Sequence, residues 1–201
     1  MAIRPTKFAH VVYRTWRFDE MLRWYRTVFG ARVQYQNPGL AFLTFDDEHH
    51  RFAIANMDAM APEVPRDDKR SVIGVDHVAY TYGSLHDLFE SYARLKGEGI
   101  LPYWCIHHGF TVSMYYADPD GNQTEFQVDC FATAEESRRY METSFDVNPL
   151  GVEFDPDAWL AKLRDGVPQS ELLIRRADLP VSPLRSAAFP EGLEYPKFAK
   201  H

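Results

Sequence analysis

The sequence predicts an α+β fold: two βαβββ modules that curve into a half-barrel, followed by a C-terminal segment of helices and extended chain. Three observations predict it. The chain repeats itself, since KFAHVVY (7–13) and GVDHVAY (74–80) share a His-Val-x-Tyr core, with His10 and His77 separated by 67 residues. The same offset carries Phe18 onto Leu85, Leu22 onto Phe89, Tyr25 onto Tyr92 and Gly30 onto Gly97, the mark of a duplicated unit. Each copy then reads as a strand, a helix with apolar residues three and four apart, and three further strand-like runs.

Taken in order, a short strand carries the histidine in each copy, over about 8–13 and 75–80. An amphipathic helix follows, with Met21, Leu22, Tyr25, Val28 and Phe29 apolar in the first copy and Leu85, Leu88, Phe89, Tyr92 and Leu95 in the second. Gly30 and Gly97 stand where a helix C-terminus wants a residue tolerant of φ > 0. The remaining strands are ARVQYQ, GLAFLTFD and RFAIANM in copy one, and GILPYWCI, FTVSMYYA and TEFQVDCF in copy two. The modules thus cover about 7–60 and 74–131 of a domain ending near 132. Thr133-Ala-Glu-Glu136 is a capping box that opens a helix to about Thr143. Asp155-Pro156 opens another, with Trp159, Leu160 and Leu163 on one face and Gly166 closing it. Beyond it Pro180, Pro183, Pro190 and Pro196 predict an extended arm, so 133–201 reads as a segment packed over the core or against a second copy.

Composition narrows the classes. The 201 residues are 45% hydrophobic and 14% aromatic, enough for a buried core. A net charge of −7 argues against nucleic acid, whose phosphates need a basic face. The run RDDKR (66–70) has two Asp within it and reads as a solvated loop. No apolar run reaches 18 residues, so no membrane span is expected, and MAIRPTKFAH lacks the apolar stretch of a secretory signal. Cys105 and Cys130 make no disulfide framework and are expected as buried thiols in a reducing cytoplasm. A homo-oligomer, dimeric or larger, is expected from edge strands and the C-terminal arm.

Alternation in the last two strands sorts their side chains. Phe110, Val112, Met114 and Tyr116 face one way, with Thr111, Ser113 and Tyr115 opposite; Phe126, Val128 and Cys130 take the apolar side and Glu125, Gln127 and Asp129 the polar one. If the two modules close about a pseudo-twofold, the matched His10 and His77 meet, and Glu125 joins them. Two imidazoles and one carboxylate leave one face of an octahedral ion open, a set suited to Fe(II) and oxygen chemistry. Read singly, each is equally an ordinary strand residue; their repeat positions are what point to a metal site in the half-barrel.

Residues 106–125 resemble the signature of the type I extradiol ring-cleaving dioxygenases, one-domain members of the vicinal oxygen chelate (glyoxalase/bleomycin resistance) superfamily. The stretch runs Ile106-His107-His108, five residues, Met114-Tyr115, two residues, Asp118-Pro119-Asp120-Gly121, three residues, Glu125. DEHHRFAIA (47–55) is similar to the His-His segment of those enzymes. The resemblance implies an Fe(II)-dependent cleavage of a catechol-type substrate with O2, with Mn(II) as the alternative ion. It implies His10, His77 and Glu125 as ligands, His108 beside the substrate's ring oxygen, Tyr115 beside its hydroxyl, and one of His49 and His50, with His50 preferred, as the acid/base; counting does not separate the two, because neighbours on a strand point to opposite faces. His107 is expected to be structural or exposed, like His86 and His201, and Trp104 and Phe110 to pack in the core or wall the ring.

Two rivals share the fold: a metal-dependent glyoxalase-type isomerase or lyase, and a bleomycin-resistance-like protein that only binds a ligand. The first usually needs a second carboxylate where this chain has RFAIANM, and the second needs neither the ligand set nor His108 and Tyr115.

Overall fold

A computed structural model of the chain describes residues 7–66, 75–144, 147–148 and 150–185. They fall into two compact units. The first comprises 1–70 with 118–120, and the second 71–117 with 121–201.

In the first unit, β1 (Val11–Thr15), α1 (Phe18–Phe29), β2 (Arg32–Asn37), β3 (Leu40–Thr44), β4 (Phe52–Asn56) and the single turn α2 (Met57–Met60) follow one another. The sheet order is β1-β4-β3-β2, with β1 parallel to β4 and the other pairs antiparallel. Helix α1 forms because its apolar stripe, Phe18, Met21, Leu22, Trp24, Tyr25 and Val28, has a sheet face to bury against. The Tyr25 ring packs 4.6 Å from Phe52, and each such side chain taken from water stabilises the unit by about 1.5–3 kcal/mol. Gly30, at φ 62°, closes the helix in the left-handed region. Asp118 and Asp120 group with this unit, the former accepting from the Tyr25 hydroxyl at 3.1 Å and the latter pairing with Arg17 at 2.8 Å.

The second unit repeats the pattern with β5 (His77–Thr81), α3 (Leu85–Gly97), β6 (Trp104–His107), β7 (Thr111–Ala117) and β8 (Gln123–Asp129). It continues with α4 (Ala134–Ser144), β9 (Val152–Glu153), α5 (Pro156–Arg164) and α6 (Gln169–Leu172). Its sheet order is β5-β8-β7-β6-β9, again with a parallel first pair. Both sheets are open. The expected capping box is made: Thr133 Oγ1 accepts from the Glu136 N–H, and Glu136 reaches back to the Thr133 N–H. Asp155 caps α5 through the Asp157 and Ala158 N–H groups.

Several expectations are corrected. The first strand starts at Val11, so His10 lies just outside it. There the backbone carbonyls of Phe8 and Ala9 accept from the Arg51 guanidinium rather than from a ladder. Helix α3 runs through Gly97, and Gly99, at φ 76°, takes the left-handed conformation. Strand β6 is confined to four residues, beginning after Pro102, which has no N–H to give a ladder. The extended arm contains a helical turn, α6, and a two-residue strand, β9, adds a fifth member to the second sheet. His107 is buried, only 1% exposed, whereas His86 is at the surface. Residues 67–70 of the charged run, Pro190, Pro196 and His201 lie outside the described residues.

Candidate active site

One face of the second sheet gathers the titratable groups, and strand register explains why. Ala79, Glu125 and Tyr115 stand opposite one another across β5, β8 and β7, and Trp104 of β6 stands opposite Tyr115. Two residues along, His77 faces Gln123; Ser113 faces Gln127 and Ile106. Residues on one face of a sheet repeat every second position, so His77, Glu125, Ser113, Tyr115 and Trp104 share a side. His108 continues the alternation of Trp104 and Ile106 beyond the end of β6.

Within this face His77 Nε2 lies 3.0 Å from Glu125 Oε2, and His77 Nδ1 lies 2.7 Å from the Asp76 carboxylate. These contacts, Glu125 foremost, hold the imidazolium against the opposing effect of burial and raise the His77 pKa to about 9. Glu125 is only 5% exposed. Burial alone would raise its pKa; hydrogen bonds from His77 and Ser113 outweigh it and leave the carboxyl below its ordinary value. His108 Nε2 is 3.1 Å from the Tyr115 hydroxyl and 4.0 Å from Glu125 Oε1. Burial pushes His108 toward the neutral form, and burial together with the Glu125 charge pushes the Tyr115 phenol up, so it keeps its proton through the neutral range. A cavity of about 180 Å³ opens onto these groups, with Tyr103, Trp104, Leu150 and Leu184 as apolar walls and Asp76, Gln123 and Arg185 at its polar margin. A larger cavity of about 540 Å³, between α4 and the chain at 170–177, touches none of them.

The first unit holds the other histidines. The His50 ring sits 4.3 Å from the His10 ring and 4.5 Å from Phe42. His49 points outward with 67% of its side chain exposed, its Nδ1 2.6 Å from that of His50. Burial, then the neighbouring His10 and His49, lower the His50 pKa. Among the described residues no three His, Cys, Asp or Glu side chains gather into a cation site. His77 and Glu125 meet in the second unit; His10 belongs to the first.

Alternation anticipated Glu125, Tyr115 and Ser113 on one face. Tyr115 lies in mid-strand, so it does not cap the hairpin. Trp104 walls the cavity, while Phe110 stacks on the His108 ring, 6.0 Å between centroids. Asp76 was missed although it adjoins His77 in sequence. Leu150, Leu184 and Arg185 were missed because nothing in the tail carries the repeat.

The profile of the glyoxalase/bleomycin resistance protein/dioxygenase superfamily matches residues 7–126. The chain belongs to this superfamily. Two curated relatives from Rhodococcus globerulus resemble it along most of their length. Biphenyl-2,3-diol 1,2-dioxygenase 2 is 43% identical over 179 residues, covering 88% of this chain and 92% of the relative. Biphenyl-2,3-diol 1,2-dioxygenase 3 is 40% identical over 178 residues, covering 87% and 90%. Among solved structures, a glyoxalase/bleomycin resistance protein/dioxygenase from Nocardioides superposes with a TM-score of 0.50 at 20% identity, over 64% of this chain and 86% of that one. That likeness supports the superfamily fold. Among the described residues no helix is long and apolar enough to cross a membrane.

Proposed function

We propose that this superfamily member is an extradiol dioxygenase that opens the ring of a catechol-type substrate with O2, using Fe(II) held by His10, His77 and Glu125. The observation that carries the reading is the grouping of His77, Glu125, Tyr115 and His108 on one sheet face beside an aromatic-walled cavity. Identities of 43 and 40% to two biphenyl-diol dioxygenases over nearly whole chains support the same reaction class.

The donor set fits the ion by its chemistry. A carboxylate kept anionic while nine-tenths buried, with an imidazole nitrogen 3.0 Å away, suits a divalent cation. When bound, Fe(II) supplies the Lewis acidity that makes a phenol's proton, with a pKa of about 10 in isolation, removable at neutral pH, and the redox chemistry that O2 requires.

The chain's own groups do the rest. Tyr103, Trp104, Leu150 and Leu184 would exclude water and pack against an aromatic ring. Tyr115, kept protonated, donates a hydrogen bond toward a ring oxygen and positions it. His108, kept neutral, accepts a hydrogen bond at Nε2 from a hydroxyl. His50, whose pKa is lowered by burial and by the neighbouring His10 and His49, is the acid/base of this reading, an imidazole that can take a proton and return it. Holding these groups in place before substrate arrives is worth several kcal/mol in proximity alone, on the order of the effects seen for well-oriented reactants. We assign the paired modules, 7–131, to the chemistry and 133–201 to an accessory role.

The test is anaerobic loading of the chain with Fe(II), then air and biphenyl-2,3-diol alongside simpler catechols. A yellow ring-opened product with one O2 consumed per ring is expected; metal uptake with no O2 consumption on any catechol sinks the reading.

A further inference from the structure

The segment beyond the duplicated modules reaches into the site through its backbone. His108 Nδ1 lies 2.5 Å from the Leu150 carbonyl oxygen. A carbonyl only accepts, so the proton on that side belongs to Nδ1. In the neutral ring Nε2 is then bare, and Nε2 is the atom 3.1 Å from the Tyr115 hydroxyl. A bare Nε2 can accept from the Tyr115 hydroxyl, which also faces the Glu125 carboxylate, and it has no proton to donate in return. With the opposite tautomer, two lone pairs would face each other at Leu150.

That carbonyl is itself fixed in place. Asn148 clamps the loop, its Oδ1 accepting from the Gly151 N–H at 2.6 Å and its Nδ2 donating to the Gly151 carbonyl at 3.1 Å. The same Gly151 carbonyl accepts from the Ser182 N–H. Arg175 Nη1 donates to the His108 carbonyl at 2.9 Å and to the Asn148 carbonyl at 3.0 Å, tying the loop to the very residue whose ring it orients. Its guanidinium lies over the Tyr140 ring, 5.6 Å from the centroid. Gly151 makes the approach possible: at φ 118°, a Cβ there would stand 2.4 Å from the His107 carbonyl oxygen.

We infer that Asn148, Leu150 and Arg175 are positioning residues that lock His108 in its Nδ1–H tautomer, so that the C-terminal segment decides which way hydrogen bonds run through the site. In the dioxygenase reading, on which its catalytic meaning rests, a substrate hydroxyl takes the place of Tyr115 as the donor to Nε2 of His108, which frees the Tyr115 hydroxyl to donate to the substrate. Partners that fix the tautomer of a site histidine govern its basicity and aim, and losing one typically costs about 10- to 100-fold.

The tautomer is read directly by 15N NMR of histidine-labelled, metal-free full-length chain at pH 8, with His108 assigned from the His108→Gln spectrum. The wild type is expected to show a protonated Nδ1 and a bare Nε2; a protonated Nε2 overturns the inference without any variant. Asn148→Ala and Arg175→Ala are expected to mix the two tautomers and, in the Fe(II)-loaded chain, to lower kcat about 10- to 100-fold with KM little changed. Arg175→Lys, which keeps a donor, is expected to recover most of both. An unaltered tautomer and kcat in Asn148→Ala and Arg175→Ala also overturns it. An Nδ1–H tautomer in a wild type that cleaves no catechol strikes the dioxygenase reading and leaves the positioning role standing.

Discussion

Glu125 meets His77 diagonally across two parallel strands, 3.0 Å from its Nε2, while Ala79 fills the position directly opposite the carboxylate. The small residue at 79 leaves the carboxylate free to lean along the sheet toward the histidine. Ser113, on the same face, supplies the other hydrogen bond that keeps Glu125 ionised. Ser113→Ala is expected to retain the fold and to weaken Fe(II) affinity or ring cleavage about 10- to 100-fold. Equilibrium metal titration and steady-state kinetics check it, and wild-type values for both would remove Ser113 from the site.

Tyr115 packs its ring 5.0 Å from Trp104 and uses its hydroxyl on His108. Tyr115→Phe preserves the packing and removes the hydroxyl. The expected outcome is a kcat lower by about 10²-fold or more, the usual worth of a group that positions or shares a proton, with a thermal midpoint close to wild type. A large fall in the midpoint with unchanged kcat would make the hydroxyl structural.

His107 ties stability to pH. It is buried, its Nδ1 accepts from the Gly109 N–H at 3.1 Å, and burial lowers its pKa from 6.5 to about 4. The folded chain thus keeps this ring neutral where the unfolded chain protonates it. The contribution is fully present above pH 6.5 and is lost as pH falls from 6.5 toward 4. That interval corresponds to about 3 kcal/mol. Urea unfolding at pH 7, 6 and 5 is expected to show the decline, and His107→Asn to flatten it. The same slope in that variant would assign the effect to other groups.

Gly151→Ala forces a side chain onto the His107 carbonyl and a left-handed φ onto a residue with a Cβ. Strain of about 1–3 kcal/mol for the backbone alone predicts a thermal midpoint lower by about 5 °C or more in a chain of this length. Differential scanning calorimetry measures it, and an unchanged midpoint would mean that the loop does not sit against β6.

The duplicated half of the fold was legible because its signals are local or repeated. The offset between His10 and His77 gave both modules, and alternation through Ser113, Tyr115 and Glu125 gave the sheet face that gathers the titratable groups. Strand ends were less legible: just before β1 the Ala9 carbonyl accepts from the Arg51 guanidinium, a contact 42 residues away in the chain. His49 and His50 were not separable by counting along the chain, and the difference between them, one ring packed on His10 and Phe42 and the other turned outward, is a tertiary one. Leu150 was invisible in the sequence because it serves His108 through a carbonyl, and a backbone oxygen leaves no trace in residue type.

The two residues of β9 have a consequence for assembly. By pairing with Ile106 and His107 they cover the outer edge of β6, so that no second chain can add a strand beside β6 at those positions. In the first sheet, β2 has no neighbour on its outer side and is mostly exposed, with Tyr35 at the surface. Among the described residues, growth of a sheet from one molecule into another is therefore left to the other edges: β1 and β2 of the first sheet, and β5 and the short β9 of the second.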